Sequence, residues 1–176
     1  MPQQQHVINN CIELLQQVIA LVKLIDETIF VSTSSISPRG SIGAHLRHIL
    51  DFYDCLLAGL ESGQVDYNRR KRDPQIEGNS DYAIEKIEAT IQRLRLVSFS
   101  DEQRQITVST EQDPTGSYFW CYSSVLRELV FLESHTVHHY SLIAMILRLH
   151  GIEPAEGFGV AASTLSYWNE ATACAL

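Results

Sequence analysis

The sequence predicts an all-α protein: a four-helix bundle with one short β-hairpin before its last helix. Three observations lead there. Four long segments repeat apolar residues at helical spacing, runs of Ser, Gly and Pro separate them, and only one stretch alternates in the manner of a strand. Amphipathic helices of such length bury their stripes most completely against one another, which is the bundle arrangement. With 176 residues, 45% hydrophobic and 19% charged, the chain suits a single domain over 1–176 that needs no staples.

The first segment, HVINNCIELLQQVIALVKLIDETIF, places Val7, Cys11, Leu14, Leu15, Val18, Leu21, Val22 and Ile25 on one stripe for about six turns. Serines, β-branched residues and Pro38 in VSTSSISPRG then stop it. Ser41 caps a second helix, IGAHLRHILDFYDCLLAGLESG, expected to run to Gly63. The run NRRKRDP, at 68–74, could serve as an anion or partner patch, but beside Asp73 and Pro74 it reads as a solvated basic loop, and the polar connection continues around Pro74 and Gly78. Ser80 or Asp81 opens a third helix, YAIEKIEATIQRLRLV, whose stripe is Ile84, Ile87, Ile91, Leu94 and Leu96 or Val97.

Next comes RQITVSTEQDPTGSYFWCY, β-branched on one side of DPTG and aromatic on the other, the pattern of a hairpin around a proline-containing turn. The fourth helix runs from about Ser123 to His150, where Gly151 and Pro154 end it. The tail EGFGVAASTLSYWNEATACAL, with Phe158, Tyr167 and Trp168, is expected to pack irregularly over the bundle without adding a fifth long helix.

Composition removes several function classes. A formal charge of -8, from 21 acidic against 13 basic residues, opposes the phosphate attraction on which nucleic-acid binders rely. No segment reaches the roughly 18 to 20 apolar residues that span a bilayer, and MPQQQHVINN lacks a basic start followed by an apolar run, so a cytoplasmic location is expected. Cys11, Cys55, Cys121 and Cys174 are scattered with no CxxC pair and are assigned no chemistry.

The histidines carry the functional signal. FLESHTVHHYSLIAMILRLHG, at 131–151, holds His135, His138 and His139. At 3.6 residues per turn His135 and His139 stand about 40° apart, on a face shared with Val125, Leu132, Ile143 and Ile146. His138 is rotated about 100° from His139, toward Phe131, Met145 and Leu149. An i,i+4 pair lets two ring nitrogens reach one ion from a single helix. One inward histidine is ordinarily a hydrogen-bonded core residue, but two facing one interior bring polar nitrogens that a shared cation satisfies together.

The second helix offers another donor. His45 and His48 lie on or beside the face of Ile49, Phe52 and Leu56, with Arg47, Asp51 and Asp54 on the opposite side; His45 lies nearer the centre of that face, and either could serve. Three imidazoles leave a coordination position open, as catalytic sites do. A site without thiolates or several carboxylates favours zinc or nickel over magnesium or calcium. Glu128, seven residues before His135, is a candidate proton acceptor or imidazole partner, or else a carboxylate favoured by the helix N-terminus. Arg127 and Tyr53 are candidates of the same kind.

These segments resemble the DinB/YfiT-like superfamily of four-helix-bundle proteins. SHTVHHYSLIAMILRLHGIEP is similar to that family's closing signature, and LRHILDFYD to its LxHI segment. The resemblance implies one divalent ion held by His48, His135 and His139, with His45 as the substitute for His48. It also implies a homodimer and, for some relatives, transferase or isomerase activity with low-molecular-weight thiols. Tyr140, Ser141 and Leu142 depart from the family's usual Arg-Gly-Gln, so no partner role of that Arg or Gln carries over. A bound metal acts as a Lewis acid or lowers the pKa of a bound water or thiol, which gives the expectation of a metal-dependent transferase or hydrolase. The competing expectation is a non-catalytic, metal-binding or structural dimeric module, with His138 and the aromatic tail in its interface.

Overall fold

The first apolar stripe forms α1, Gln3–Val22, and a single turn, α2, Glu27–Phe30, follows it in the computed structural model, which describes residues 3–33, 40–97, 104–109 and 119–173. Side-chain caps then set where the other long helices begin. Ser41 accepts the Ala44 amide at 3.0 Å and opens α3, Ile42–Gly59. After β1, Gln64–Asp66, the short α4, Pro74–Gly78, starts at Asp73, which accepts from the Gln75 amide with Pro74 at the first turn. Asn79 accepts from Tyr82 at 2.8 Å and opens α5, Ser80–Leu96. Two strands, β2, Gln105–Ser109, and β3, Cys121–Ser124, precede α6, Val125–Leu149, which is capped by Ser124, and the chain continues to α7, Ala162–Ala173.

The described chain is thus mostly helical with one small sheet. Both α1 and α3 pack against α5 and α6, so the four long helices enclose one core. Leu15 and Val18 of α1, Leu46 and Leu56 of α3, Ile87 and Leu94 of α5, and Leu132 and Ile143 of α6 are all buried there. Each such side chain contributes about 1.5 to 3 kcal/mol on leaving water. No helix among the described residues is long and apolar enough to cross a membrane.

The sheet has the order β1-β2-β3. Its second pair is antiparallel, with Val108 opposite Cys121 and Gln105 opposite Ser124; the DPTG turn lies outside the described residues, as does Pro38. Its first pair is parallel, Gln64 to Thr107 and Asp66 to Ser109. That extended element between the second and third helices was not expected, because three residues are too few to display a period of two. It also explains why α3 stops short of Gly63. β1 lies so close to Gly59 that an added Cβ would run into the Gln64 carbonyl oxygen and come within 2.8 Å of Val65 Cγ2, which leaves room for glycine alone.

Other boundaries also differ from the sequence reading. The connection around Pro74 is a helical turn, and the tail contains a 12-residue helix. Asp51, expected on the polar side of its helix, is only 6% exposed, while Leu96, an alternative member of the third stripe, is 83% exposed. The departure at Tyr140 and Ser141 has a structural use: Tyr140 donates to the Leu14 carbonyl at 2.7 Å and stacks on Phe158 at 4.8 Å. Gly159 lies against the backbone of Ser141, whose hydroxyl donates to the Gly159 carbonyl. These two residues dock the tail onto α6.

Candidate metal centre

Because α3 and α6 pack together, their inward histidines meet. His48 Nε2 lies 3.2 Å from His135 Nε2, and His139 Nε2 lies 3.1 Å from the same atom. His48, His135 and His139 lie close enough to hold one metal ion, their ligand atoms all within 4.8 Å of one another. Nitrogens bound at about 2.0 to 2.1 Å in a tetrahedral shell stand about 3.3 Å apart, so the two short separations match that edge closely. Hydrogen bonding alone serves this cluster poorly. A ring nitrogen of a neutral imidazole carries one proton or one lone pair, whereas His135 Nε2 faces two neighbours of its own kind. A shared cation would satisfy all three lone pairs at once.

The electrostatics suit ligation. Burial first, then neighbouring imidazoles and Arg70, pushes His48 down to about 4. Burial, then His138 and Arg70, lowers His135 to about 4; burial and the surrounding imidazoles lower His139 to about 3. All three rings are therefore neutral near pH 7, the form that ligates.

His45 does not join the cluster directly. Its Nδ1 lies 3.0 Å from Nδ1 of His139, the nitrogen on the far side of that ring. This is the position of an orienting partner, which fixes the tautomer of a ligating histidine. His135 is held differently, between the rings of Phe52 at 4.4 Å and Phe131 at 5.5 Å, with its buried Nδ1 lacking a hydrogen-bond partner. Tyr67 closes the same wall, 5.1 Å from Phe52 and 5.8 Å from Phe131. His138 is exposed on the outer side of α6.

The remaining candidates serve elsewhere. Glu128 is fully buried, but it accepts from Tyr67 at 2.9 Å, from Ser123 and from Arg127 at 2.8 Å, so its acceptors are spent on tying α6 to the residues after β1. Arg127 pairs with Glu128 and lies over the Phe131 ring at 5.4 Å. Tyr53 is buried, with its hydroxyl 3.3 Å from Thr136 Oγ1, and burial holds its pKa well above the ordinary value. Burial likewise keeps Cys11 and Cys55 as thiols, raised to about 12 and about 11; Cys174 lies outside the described residues.

One residue at the site lies in a segment that the sequence reading set aside as a solvated loop. Arg70, part of the run read as a solvated loop, turns inward and places Nη1 3.3 Å from His48 Nδ1 and its guanidinium 5.3 Å over the Phe52 ring. No periodic signal marks the direction of a loop side chain, and its neighbours Arg69 and Lys71 are exposed as expected. No family model, curated protein or solved structure matches the chain.

Proposed function

We propose that the chain is a metal-binding member of the DinB/YfiT-like four-helix-bundle superfamily, which holds one zinc or nickel ion through His48, His135 and His139 and acts as a transferase or hydrolase. The observation that carries this reading is the convergence of three neutral Nε2 atoms from two helices, two of their separations at 3.1 and 3.2 Å. An ion held by three imidazoles keeps a position for a ligand and supplies Lewis acidity and a lowered pKa to a water or thiol bound there. The chain's own residues bind and orient: His45 positions His139, and Phe52, Phe131 and Tyr67 shield His135 from water. A low-molecular-weight thiol is the substrate class that the resemblance suggests.

The direct test is metal content. Protein loaded with zinc or nickel and desalted should retain one ion per chain, His135→Ala and His139→Ala should retain none, and His138→Ala should match the wild type. A wild type that retains no metal after loading returns these histidines to the core and removes the reading.

A cytoplasmic homodimer completes the proposal. Met145 and Leu149, each 55% exposed, form with Val130 and His138 an uncovered outer side of α6. Light scattering at micromolar concentration checks this, and a monomer removes the dimer without touching the metal site.

A further inference from the structure

Arg70 differs from most of the cations around it, and unlike the exposed Arg72 it is turned inward. Arg47 pairs with Glu77 and Arg127 with Glu128, while on its own loop Arg69 pairs with Asp66 and Lys71 with Asp54. Arg70 has no carboxylate within ion-pair reach among the described residues, and its buried Nε has no hydrogen-bond partner. Its inward direction is built by the residues on either side. Tyr67 N donates to the Ser109 carbonyl at 2.8 Å, Asn68 N to Asp66 at 3.0 Å, and Arg72 N to the buried Asp51 at 3.1 Å. Arg72 itself holds φ 51°, a left-handed conformation that a non-glycine residue adopts only where its surroundings enforce it.

The contact between Arg70 and His48 constrains the ring. A guanidinium only donates, so His48 Nδ1 accepts from Arg70 and the proton of the neutral ring sits on Nε2. Ligation through Nε2 needs the opposite tautomer, with the proton on Nδ1. Two donors then face each other, and Arg70 requires a new acceptor at the side of the ion. Neutral imidazoles, a dication and a guanidinium leave this locus strongly positive. Among the described residues Arg70 is the one guanidinium in contact with a histidine of the cluster, and a single guanidinium matches the two oxygens of a carboxylate rather than the several donors that a phosphate dianion ordinarily gathers.

We infer that Arg70 binds the carboxylate of the small molecule that reaches the metal, which makes a carboxylate-bearing ligand the substrate class of this site. The inference rests on the three-histidine metal reading and deepens it. Arg70 acts here as a specificity residue, selecting the ligand by charge while the ion takes the reacting group.

The test uses protein loaded with Co2+, whose visible absorbance reports its ligands. The loaded wild type is titrated with 3-mercaptopropionate and with its neutral amide, 3-mercaptopropionamide, which offer the metal the same thiol. The carboxylate form should bind at least about tenfold more tightly, the scale of one charge-assisted hydrogen bond. Arg70→Gln should bring the two affinities together with Co2+ stoichiometry unchanged, and Arg70→Lys should retain part of the preference. Equal affinities in the wild type, a preference that survives in Arg70→Gln, or no spectral response to either thiol would overturn the carboxylate assignment alone. Failure of the wild type to take up one Co2+ would overturn the metal reading and this assignment with it.

Discussion

His45 Nδ1 lies 3.0 Å from His139 Nδ1, while His139 turns its Nε2 toward His135 at 3.1 Å. The two nitrogens of His139 thus have separate partners, one in the cluster and one behind it. Helix geometry favoured His45 as the contribution of α3, and the family resemblance favoured His48. The packing of α3 on α6 gives each of them a place, His48 at the convergence point and His45 as the group that fixes the His139 ring.

The two roles separate on mutation. His48→Ala should abolish stoichiometric metal binding, since two remaining nitrogens hold a borderline ion poorly. His45→Ala should keep one ion per chain and weaken it by about 10- to 100-fold, the usual scale for losing an orienting partner. Competition against a chromophoric chelator measures both; an exchange of the two phenotypes would make His45 the ligand.

Acid should destabilise the metal-free protein early. His48, His135 and His139 titrate near 4, 4 and 3 in the fold against an ordinary 6.5, so the unfolded chain binds more protons as the pH drops. Groups with lowered folded pKa values stabilise fully above the unfolded value, and that contribution is lost as pH falls from about 6.5 toward 4. Urea midpoints of the metal-free wild type should decline across that window, and His135→Ala should show a shallower decline. Parallel slopes for the two proteins would show that this ring titrates alike in both states.

Glu128→Gln tests whether that carboxylate belongs to the fold or to the site. Its oxygens accept from Tyr67, Ser123 and Arg127 in a fully buried position. An amide places a donor where an acceptor is needed, at a cost of about 1 to 3 kcal/mol. Chemical denaturation should show that loss while metal stoichiometry stays at one ion per chain; lost metal with unchanged stability would move Glu128 into the site.

Gly59→Ala probes the seating of β1 on α3. The new methyl group would meet the Gln64 carbonyl and Val65, and overpacking of this kind costs about 1 to 3 kcal/mol. Gly63→Ala has nothing within contact distance and differs only through its φ of 72°, so it should cost less, on the order of 1 kcal/mol. A Gly59→Ala protein as stable as the wild type would contradict the close approach of strand to helix.

What the sequence determined by itself is what one helix can encode. Apolar spacing places α3, α5 and α6 within a few residues of their ends, because the stripe and the cap are local features, whereas the first helix, expected to run on to Phe30, ends at Val22 and is followed by the separate turn α2. The joint direction of His135 and His139 follows in the same way, since 3.6 residues per turn puts them on one face whatever surrounds the helix. Relations between elements were another matter. Which histidine of α3 reaches that face depends on the rotation of α3 about its own axis, set where Gly43 lies against Glu77 and Phe30 and Gly59 lies against β1. The burial of Asp51 and the inward turn of Arg70 depend on a loop pinned to Ser109 and Asp51, contacts across 42 and 21 residues of chain that no local pattern registers. Tertiary structure decided these because a ligand set is a distance between side chains of separate elements, and that distance exists only after the elements have packed.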